Sequence, residues 1–382
     1  MSQNVAVAGV GMTPFGKHED KSLRDLSRWA VGEACQQAGI DPSRLQAAFV
    51  GNAFAGIITG QEAVRGQAAL LGSVPPGIPI FNIESACASS ASAFNLAYMS
   101  ILSGQWEVAL VLGVEKLYHP DRTMSQKALT SAVDLTDGPP EDGFFMSMYA
   151  KRALAYCEKT GATPMHFAKI AAKNRSNGAL NPLAQFRKVV SPEEVLESPV
   201  IASPITRMMC SPIGDGAAAA ILVSANAAKT LTTKPIWVRA SVVASGGMDE
   251  PIAKHLAGRA YEISGLGPGD LDLVELHDGA APAELELYEH LGLAASGMGP
   301  ELLERGETLI GGRIPVNPGG GLISRGHPVG ATGVAQIAEV VWHLRGEAGL
   351  RQIDGAKVGL TENTGGSVNG DAAAGTVHIL SL

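Results

Sequence analysis

The chain has 382 residues, 46% hydrophobic and 17% charged with 46 glycines, which is enough to bury two domain-sized cores and excludes a disordered composition. A formal net charge of −8 argues against a nucleic-acid or anionic-membrane partner, because such surfaces are held by clustered Lys and Arg. Cys35, Cys87, Cys157 and Cys210 lie too far apart for a CxxC zinc site or a secreted disulfide framework, and no apolar run reaches the roughly 18 residues of a membrane span. The expectation is a cytoplasmic protein with reduced thiols and no resident metal.

In chain order, Val5 to Val10 reads as a strand, and Leu23, Leu26, Ala30, Ala34 and Ala38 recur at helical spacing up to a stop at Gly39. A second strand, Ala47 to Val50, follows. Ile78 to Ile83 is strand-like and runs into Glu84-Ser85-Ala86-Cys87-Ala88-Ser89-Ser90, the start of a helix of very small residues that continues to Leu102. Cys87 is expected in its first turn, where unpaired N–H groups and the helix dipole lower a thiol pKa. The segment equally fits a core cysteine in a tightly packed Ala/Ser helix. Val108 to Val114 is again a strand.

From about Tyr118 to Pro204 the chain has no counterpart elsewhere, and an insertion of that length is expected to cover a site. Between Lys151 and Val190 it carries eight bases, Lys151, Arg152, Lys159, Lys169, Lys173, Arg175, Arg187 and Lys188, against the single acid Glu158. Either a solvated helical surface or a seat for an anionic ligand such as a coenzyme phosphate fits that pattern. Ala217 to Val223 returns as a strand, and a linker near Ala225 to Lys234 opens the second half.

That half repeats the first. Ser264-Gly265-Leu266-Gly267-Pro268-Gly269-Asp270-Leu271 echoes Ala38 to Leu45 at an offset of 226 residues (Ala38 to Ser264), and a strand, Leu273 to Leu276, follows as Ala47 to Val50 did. Ile236 to Val243 answers the opening strand, His327 to Leu344 answers the helix beginning at Cys87, and Lys357 to Thr361 answers Val108 to Val114. Alternating strands and helices of these lengths make βα units in a largely parallel sheet. The reading is of two halves, residues 1–117 with 205–228 and residues 229–382, with 118–204 inserted.

Three segments of the second half carry polar groups suited to chemistry. His277-Asp278-Gly279-Ala280 follows a strand end, where open α/β sheets build their sites; His277 suits an N–H donor to a developing oxyanion, or a simple hydrogen bond to Asp278. Asn317 to Gly321 and Ser324 to Gly333 form a glycine-rich loop without the GxxxxGK[ST] order of a phosphate loop, and it holds His327 at the helix start equivalent to that of Cys87. Duplication symmetry brings these two starts together as a Cys/His pair for acyl transfer. Glu362 to Ser367 follows a core strand, and Gly365 and Gly366 either place backbone N–H groups beside Cys87 or form a plain turn.

Taken together, Cys87-Ala88-Ser89 (a CxS motif), Gly326-His327-Pro328 (GHP) and His277-Asp278-Gly279-Ala280 (a partial HDxF) resemble the thiolase superfamily, most closely its sterol-carrier-protein-type and archaeal branch, over essentially the whole chain. The resemblance implies a duplicated α/β thiolase fold, two βαβαβαββ-type halves in a layered α-β-α-β-α core with an inserted loop domain. It implies acylation of Cys87, activation by His327, a backbone oxyanion site at Gly365 and Gly366, and substrate contacts from Ser324, Gly326 and Gly279. Coenzyme A is then a substrate, not a bound cofactor, and a homodimer is expected, with a small zinc-ribbon/OB-fold protein as a possible partner chain.

The second thiolase cysteine is missing from both of its places, where Asn363-Thr364-Gly365 and Gly279 stand. The small Gly279 and Ala280 suggest room for a bulky 3-oxoacyl-CoA, as in benzoylsuccinyl-CoA thiolase. A carbon–carbon bond-forming acyltransferase, a retro-aldolase, and a carrier of lipid or acyl-CoA without catalysis are the alternatives.

Overall fold

The computed structural model describes residues 4–136, 138, 140, 143–231 and 233–382. In the first half β1 (Val5–Met12), β2 (Ala47–Gly51), β3 (Ile80–Ile83), β4 (Val108–Glu115) and β5 (Gly216–Ser224) stand in the order β3-β2-β4-β5-β1. β2 pairs in parallel with β3 and β4, whereas β5 runs antiparallel to both β4 and β1. The second half has β6 (Ile236–Ser245), β7 (Leu273–Glu275), β8 (Val358–Gly365) and β9 (Ala374–Ser381) in the order β6-β9-β8-β7. The two sets meet where Ala6 and Val7 pair with Trp237 and Ile236.

The counterpart of β3 in the second half is reduced to one parallel bridge, Val274 with Val316. Pro315 has no N–H to give to a ladder and Asn317 turns to φ 53°, so the edge strand stops at once and becomes the loop that carries the site.

Helices stack these sheets into five layers. On the outside, α1 (Leu23–Ala38) lies on β1 and β5, and α5 (Ile252–Ser264) on β6 and β9; α2 (Ser89–Leu102) and α7 (Thr332–Arg345) pack on each other between the sheets. α1 begins with a Ser22/Asp25 capping box and ends on Gly39 in the left-handed conformation, the stop that the sequence predicts. Every residue of β1 is buried, and its glycines are obligatory: a Cβ on Gly9 would lie 2.3 Å from Ala34 O. The central helices meet as closely, since a Cβ on Gly333 would stand 2.6 Å from Ala91 N.

The insertion adds α3 (Phe144–Thr160) and α4 (Pro164–Ala179), which pack on α6 (Ala281–His290) of the second half. Among its bases, Lys173 is buried against Glu284 at 2.5 Å, Lys169 meets Glu304 at 2.6 Å and Arg152 meets Glu286 at 2.5 Å. Arg175 is buried and stacked 4.1 Å over the Phe186 ring. Lys173 and Arg175 thus serve internal packing, Arg152 and Lys169 make ion pairs at the surface, and Lys151, Lys159, Arg187 and Lys188 are exposed. Among the described residues no helix is long and apolar enough to cross a membrane.

Candidate active site

Two helix starts face each other in the central layer. Each is preceded by a single 3₁₀ turn, Ala86–Ala88 before α2 and Val329–Ala331 before α7. Cys87 sits in the first of these turns, one step outside the α-helix where the sequence predicts it. The turn is set by Ala86 at φ 48°, by Glu84 Oε1 accepting from Ala86 N at 2.6 Å, and by Ser89 Oγ donating to Ala86 O at 2.6 Å. Gly365 backs it so closely that a Cβ there would lie 2.8 Å from Cys87 N, and the Gly366 amide is near enough to the thiol to favour its charged form.

His327 brings its Nε2 to 3.3 Å from Cys87 Sγ. Its other nitrogen, Nδ1, lies 2.7 Å from Thr332 Oγ1, and that hydroxyl spends its own proton on Pro328 O at 3.0 Å. Thr332 can therefore only accept from Nδ1–H, which leaves an unprotonated Nε2 turned toward the thiol. The ring of His277 stands edge-on to that of His327, centroids 5.2 Å apart, and its Nε2 is buried without a partner. His277 makes no side-chain bond to Asp278; Asp278 accepts from Leu322 N at 2.6 Å and from Asn174 Nδ2 at 2.8 Å.

Buried charge fixes this frame. Arg325 and Glu275, both wholly inaccessible, pair at 2.7 Å, and Glu275 also accepts from Gly319 N at 2.9 Å. Glu115, at the end of β4, accepts from Ala53 N, Phe54 N, Asn52 Nδ2 and, across the halves, Gly330 N at 2.9 Å. One carboxylate thereby ties the loop after β2 to the turn that follows His327. Burial raises the Glu115 carboxyl to about 7, and the amides that bond it oppose that rise.

Burial dominates the electrostatics. It pushes the Cys87 thiol up to about 12, with the Glu115 charge adding to the rise and the Gly366 and Cys87 amides opposing it. The expected lowering by the helix start is overturned, because a helix end contributes only about 0.3–1 kcal/mol against the desolvation of a thiolate. Burial, then His277 and Arg325, holds His327 well below the ordinary imidazole value, and burial takes His277 down to about 4. At neutral pH the resting pair is a thiol and a neutral imidazole. Such a pair reacts by handing the proton from sulfur to Nε2 as the sulfur attacks a carbonyl.

The remaining predicted residues fall differently. Ser324 is wholly buried and donates to Phe186 O at 2.8 Å, so it fastens the insertion to the loop. Gly326, at φ 109°, is packed against Gln185 and Phe15. The space expected at Gly279 is filled, because Tyr149 Oη lies 2.6 Å from where a Cβ would be. Ala280 is fully buried and bridges to Cys210. The ligand atoms of Cys87, His277 and His327 lie within 4.8 Å of one another, a cysteine and two imidazoles that could hold a soft divalent ion.

Four residues were not singled out in sequence: Tyr149, Thr332, Glu115 and Glu362. Thr332 had a signal, a hydroxyl at a helix start five positions after a histidine. Glu362 accepts from His277 N at 3.0 Å, its other oxygen is buried without a partner, and burial raises it to about 7. Nothing local marks Tyr149.

Comparison with known proteins places this geometry. The model described as "Thiolase, N-terminal domain" matches residues 5–226 and "Thiolase C-terminal domain-like" matches residues 248–381. An acetyl-CoA acetyltransferase of Methanothermobacter thermautotrophicus is 40% identical, covering 99% of this chain and 100% of the relative. The benzoylsuccinyl-CoA thiolase subunit BbsB of Thauera aromatica is 38% identical over 96% of each chain, and sterol carrier protein 2 of Bos taurus 37% identical over 96% of this chain and 70% of its own. Among solved structures, an Ltp2-ChsH2(DUF35) aldolase superposes with a TM-score of 0.81 at 24% identity, covering 99% of this chain and 97% of that one, which establishes the fold. The chain belongs to the thiolase family and is an acyltransferase.

Proposed function

We propose that the protein cleaves a 3-oxoacyl-CoA with coenzyme A through an acyl-Cys87 intermediate. The observation that carries this reading is the 3.3 Å approach of an unprotonated His327 Nε2 to Cys87 Sγ. Cys87 attacks the 3-oxo carbonyl while His327 takes its proton, the C2–C3 bond breaks, and the acyl group passes from Cys87 to a second coenzyme A. The Gly366 N–H beside the sulfur serves the oxyanion at the acylated carbon, and the unpartnered Nε2 of His277 serves the thioester oxygen. No resident cofactor enters the scheme.

Support for a bulky substrate comes from the 38% identity with benzoylsuccinyl-CoA thiolase subunit BbsB, since the room at Gly279 is taken by Tyr149. The word "subunit" in that name, and the two-protein title of the Ltp2-ChsH2(DUF35) aldolase, favour a partner chain, for which we propose the small zinc-ribbon/OB-fold protein expected from the sequence; a cytoplasmic homodimer is proposed on the resemblance alone. Mass spectrometry after incubation with short, branched and aryl 3-oxoacyl-CoA esters tests the reading. An acyl adduct on the peptide containing Cys87, absent from Cys87→Ala, is expected; labelling elsewhere, or none with any ester, removes it.

A further inference from the structure

The chemistry proposed above leaves one proton without a carrier. When the C2–C3 bond breaks, its electron pair goes to C2 as a thioester enolate, and C2 must then receive a proton. The related motifs put a cysteine where this chain has Gly279 or Asn363, and neither glycine nor an amide transfers protons.

Tyr149 enters that place from the insertion. Its Oη lies 2.6 Å and its Cζ 3.2 Å from the point where the side chain of residue 279 would begin, and His277 Cε1 lies 3.3 Å from the same point. Any side chain at 279 would collide with the phenol, so Gly279 and Tyr149 are a matched pair: the glycine vacates the position and the hydroxyl fills it. Behind the ring stands Arg152, its guanidinium 5.9 Å from the centroid and itself held by Glu286 at 2.5 Å. Burial keeps the phenol in its proton-bearing form against the opposing charge of Arg152. Its hydroxyl and the His277 ring converge on the same point beside Gly279, and His277 in turn lies within 4.8 Å of the Cys87 sulfur, which puts Tyr149 at the edge of the proposed nucleophile's pocket.

We infer that Tyr149 is the acid and base at C2, doing through a phenol supplied by the insertion what a second cysteine does in related enzymes. The step balances as follows. The Cys87 S–H proton goes to His327 Nε2, Cys87 Sγ bonds to C3, the C2–C3 bond breaks, and Tyr149 gives its proton to C2, leaving a phenolate and an imidazolium. Coenzyme A then returns its thiol proton to the phenolate as its sulfur attacks acyl-Cys87, and the released Cys87 thiolate recovers its proton from His327. Because the neutral phenol is the favoured form, the residue is better set to protonate C2 in cleavage than to deprotonate it in synthesis.

This inference rests on the thiolytic reading, and the test separates the two. Acetyl-CoA, butyryl-CoA and succinyl-CoA are incubated with enzyme in D₂O; NMR follows loss of the C2 protons, and mass spectrometry follows transfer of the acyl group to Cys87. In Tyr149→Phe, deuterium exchange and thiolysis should fall by about 10²–10⁴, the range of a lost acid–base group, while acyl transfer to Cys87 stays near the wild-type rate. Tyr149→Ala combined with Gly279→Cys should recover part of the exchange, because the thiol then fits the emptied space. Exchange and thiolysis unchanged in Tyr149→Phe overturn the assignment, as does their loss only in Glu362→Gln. Absence of any Cys87 adduct in the wild type sinks the thiolytic reading itself, and this inference with it.

Discussion

The two helix starts that meet at the site descend from equivalent positions of the two halves, yet they are built to opposite ends. Around Cys87 the backbone is held by short local bonds, the residue is half-buried, and its sulfur has His327 Nε2 at 3.3 Å. Around His327 the loop is wholly buried, crossed by the Arg325–Glu275 pair and by the amides bound to Asp278, and both ring nitrogens are committed. One copy keeps its reactive residue only half-buried and the other spends buried charge to fix a ring. Duplication thus supplied two similar frames, and their different loop chemistry divided the work between them.

The largest expected effect comes from removing the half-buried side of the pair. Cys87→Ala should lower turnover by at least about 10⁴, leaving thermal unfolding unchanged, because nucleophile and base act as a unit. On the fixed side, His327→Ala should slow acylation itself by about 10²–10⁴. Since His327 is already neutral well below its ordinary range and the thiol is held up to about 12, single-turnover acylation in the wild type should be flat between about pH 6 and 8. A rise through the ordinary imidazole pKa would show that His327 still takes up a proton in its usual range and that the two sides are less different than described.

His277 sharpens the comparison because it belongs to neither start. With one free buried donor it should matter for carbon–carbon bond making and breaking, and His277→Ala should cost about 10²–10³ in thiolysis, the loss for one oxyanion donor, with acylation from a simple acyl-CoA spared. Equal losses in both assays would end that division of roles.

Glu362 ranks next. Burial raises it to about 7 in the folded protein, so the folded state keeps this proton to higher pH than the unfolded chain does. The sign follows: its contribution to stability declines as pH rises from the ordinary carboxylate value toward about 7, and it levels off above. The decline is on the order of 2 kcal/mol, and urea midpoints for the wild type between pH 5 and 8 should show it. Glu362→Gln should lessen that slope and leave the part due to Glu115, which burial raises likewise to about 7.

What could be read in advance follows from where each cause lies. Cys87 and His327 stood out because small residues beside one, and glycine and proline beside the other, are local marks of helix starts, and the 226-residue repeat said that these starts face each other. The Gly39 cap was equally local. The thiol pKa is not legible locally, because its sign is decided by desolvation, which needs the surroundings of the whole pocket, whereas the helix end is visible in a dozen residues. The Ser324 bond to Phe186 spans 138 residues, and Tyr149, which fills the space beside Gly279, arrives from an insertion with no internal copy to align it.

Thr332 is the smallest lever and the most direct test of how the fixed side is fixed. Its hydroxyl donates to Pro328 O and so can only accept from His327 Nδ1–H, which makes Nε2 the free base beside Cys87. Thr332→Val keeps the branched shape at the start of α7 and strands the Nδ1–H in a buried place, at a cost of about 1–3 kcal/mol for an unsatisfied donor. The ring then gains by moving its proton to Nε2, the tautomer that cannot accept from the thiol. Acylation of Cys87 should fall about tenfold, and nitrogen NMR of the labelled histidine should show the proton shifting between ring positions. Thr332→Ser retains the hydroxyl and should retain both tautomer and rate, whereas a loss in Ser with none in Val would mean that the helix start is held by the methyl group's packing, not by the hydrogen bond to the base.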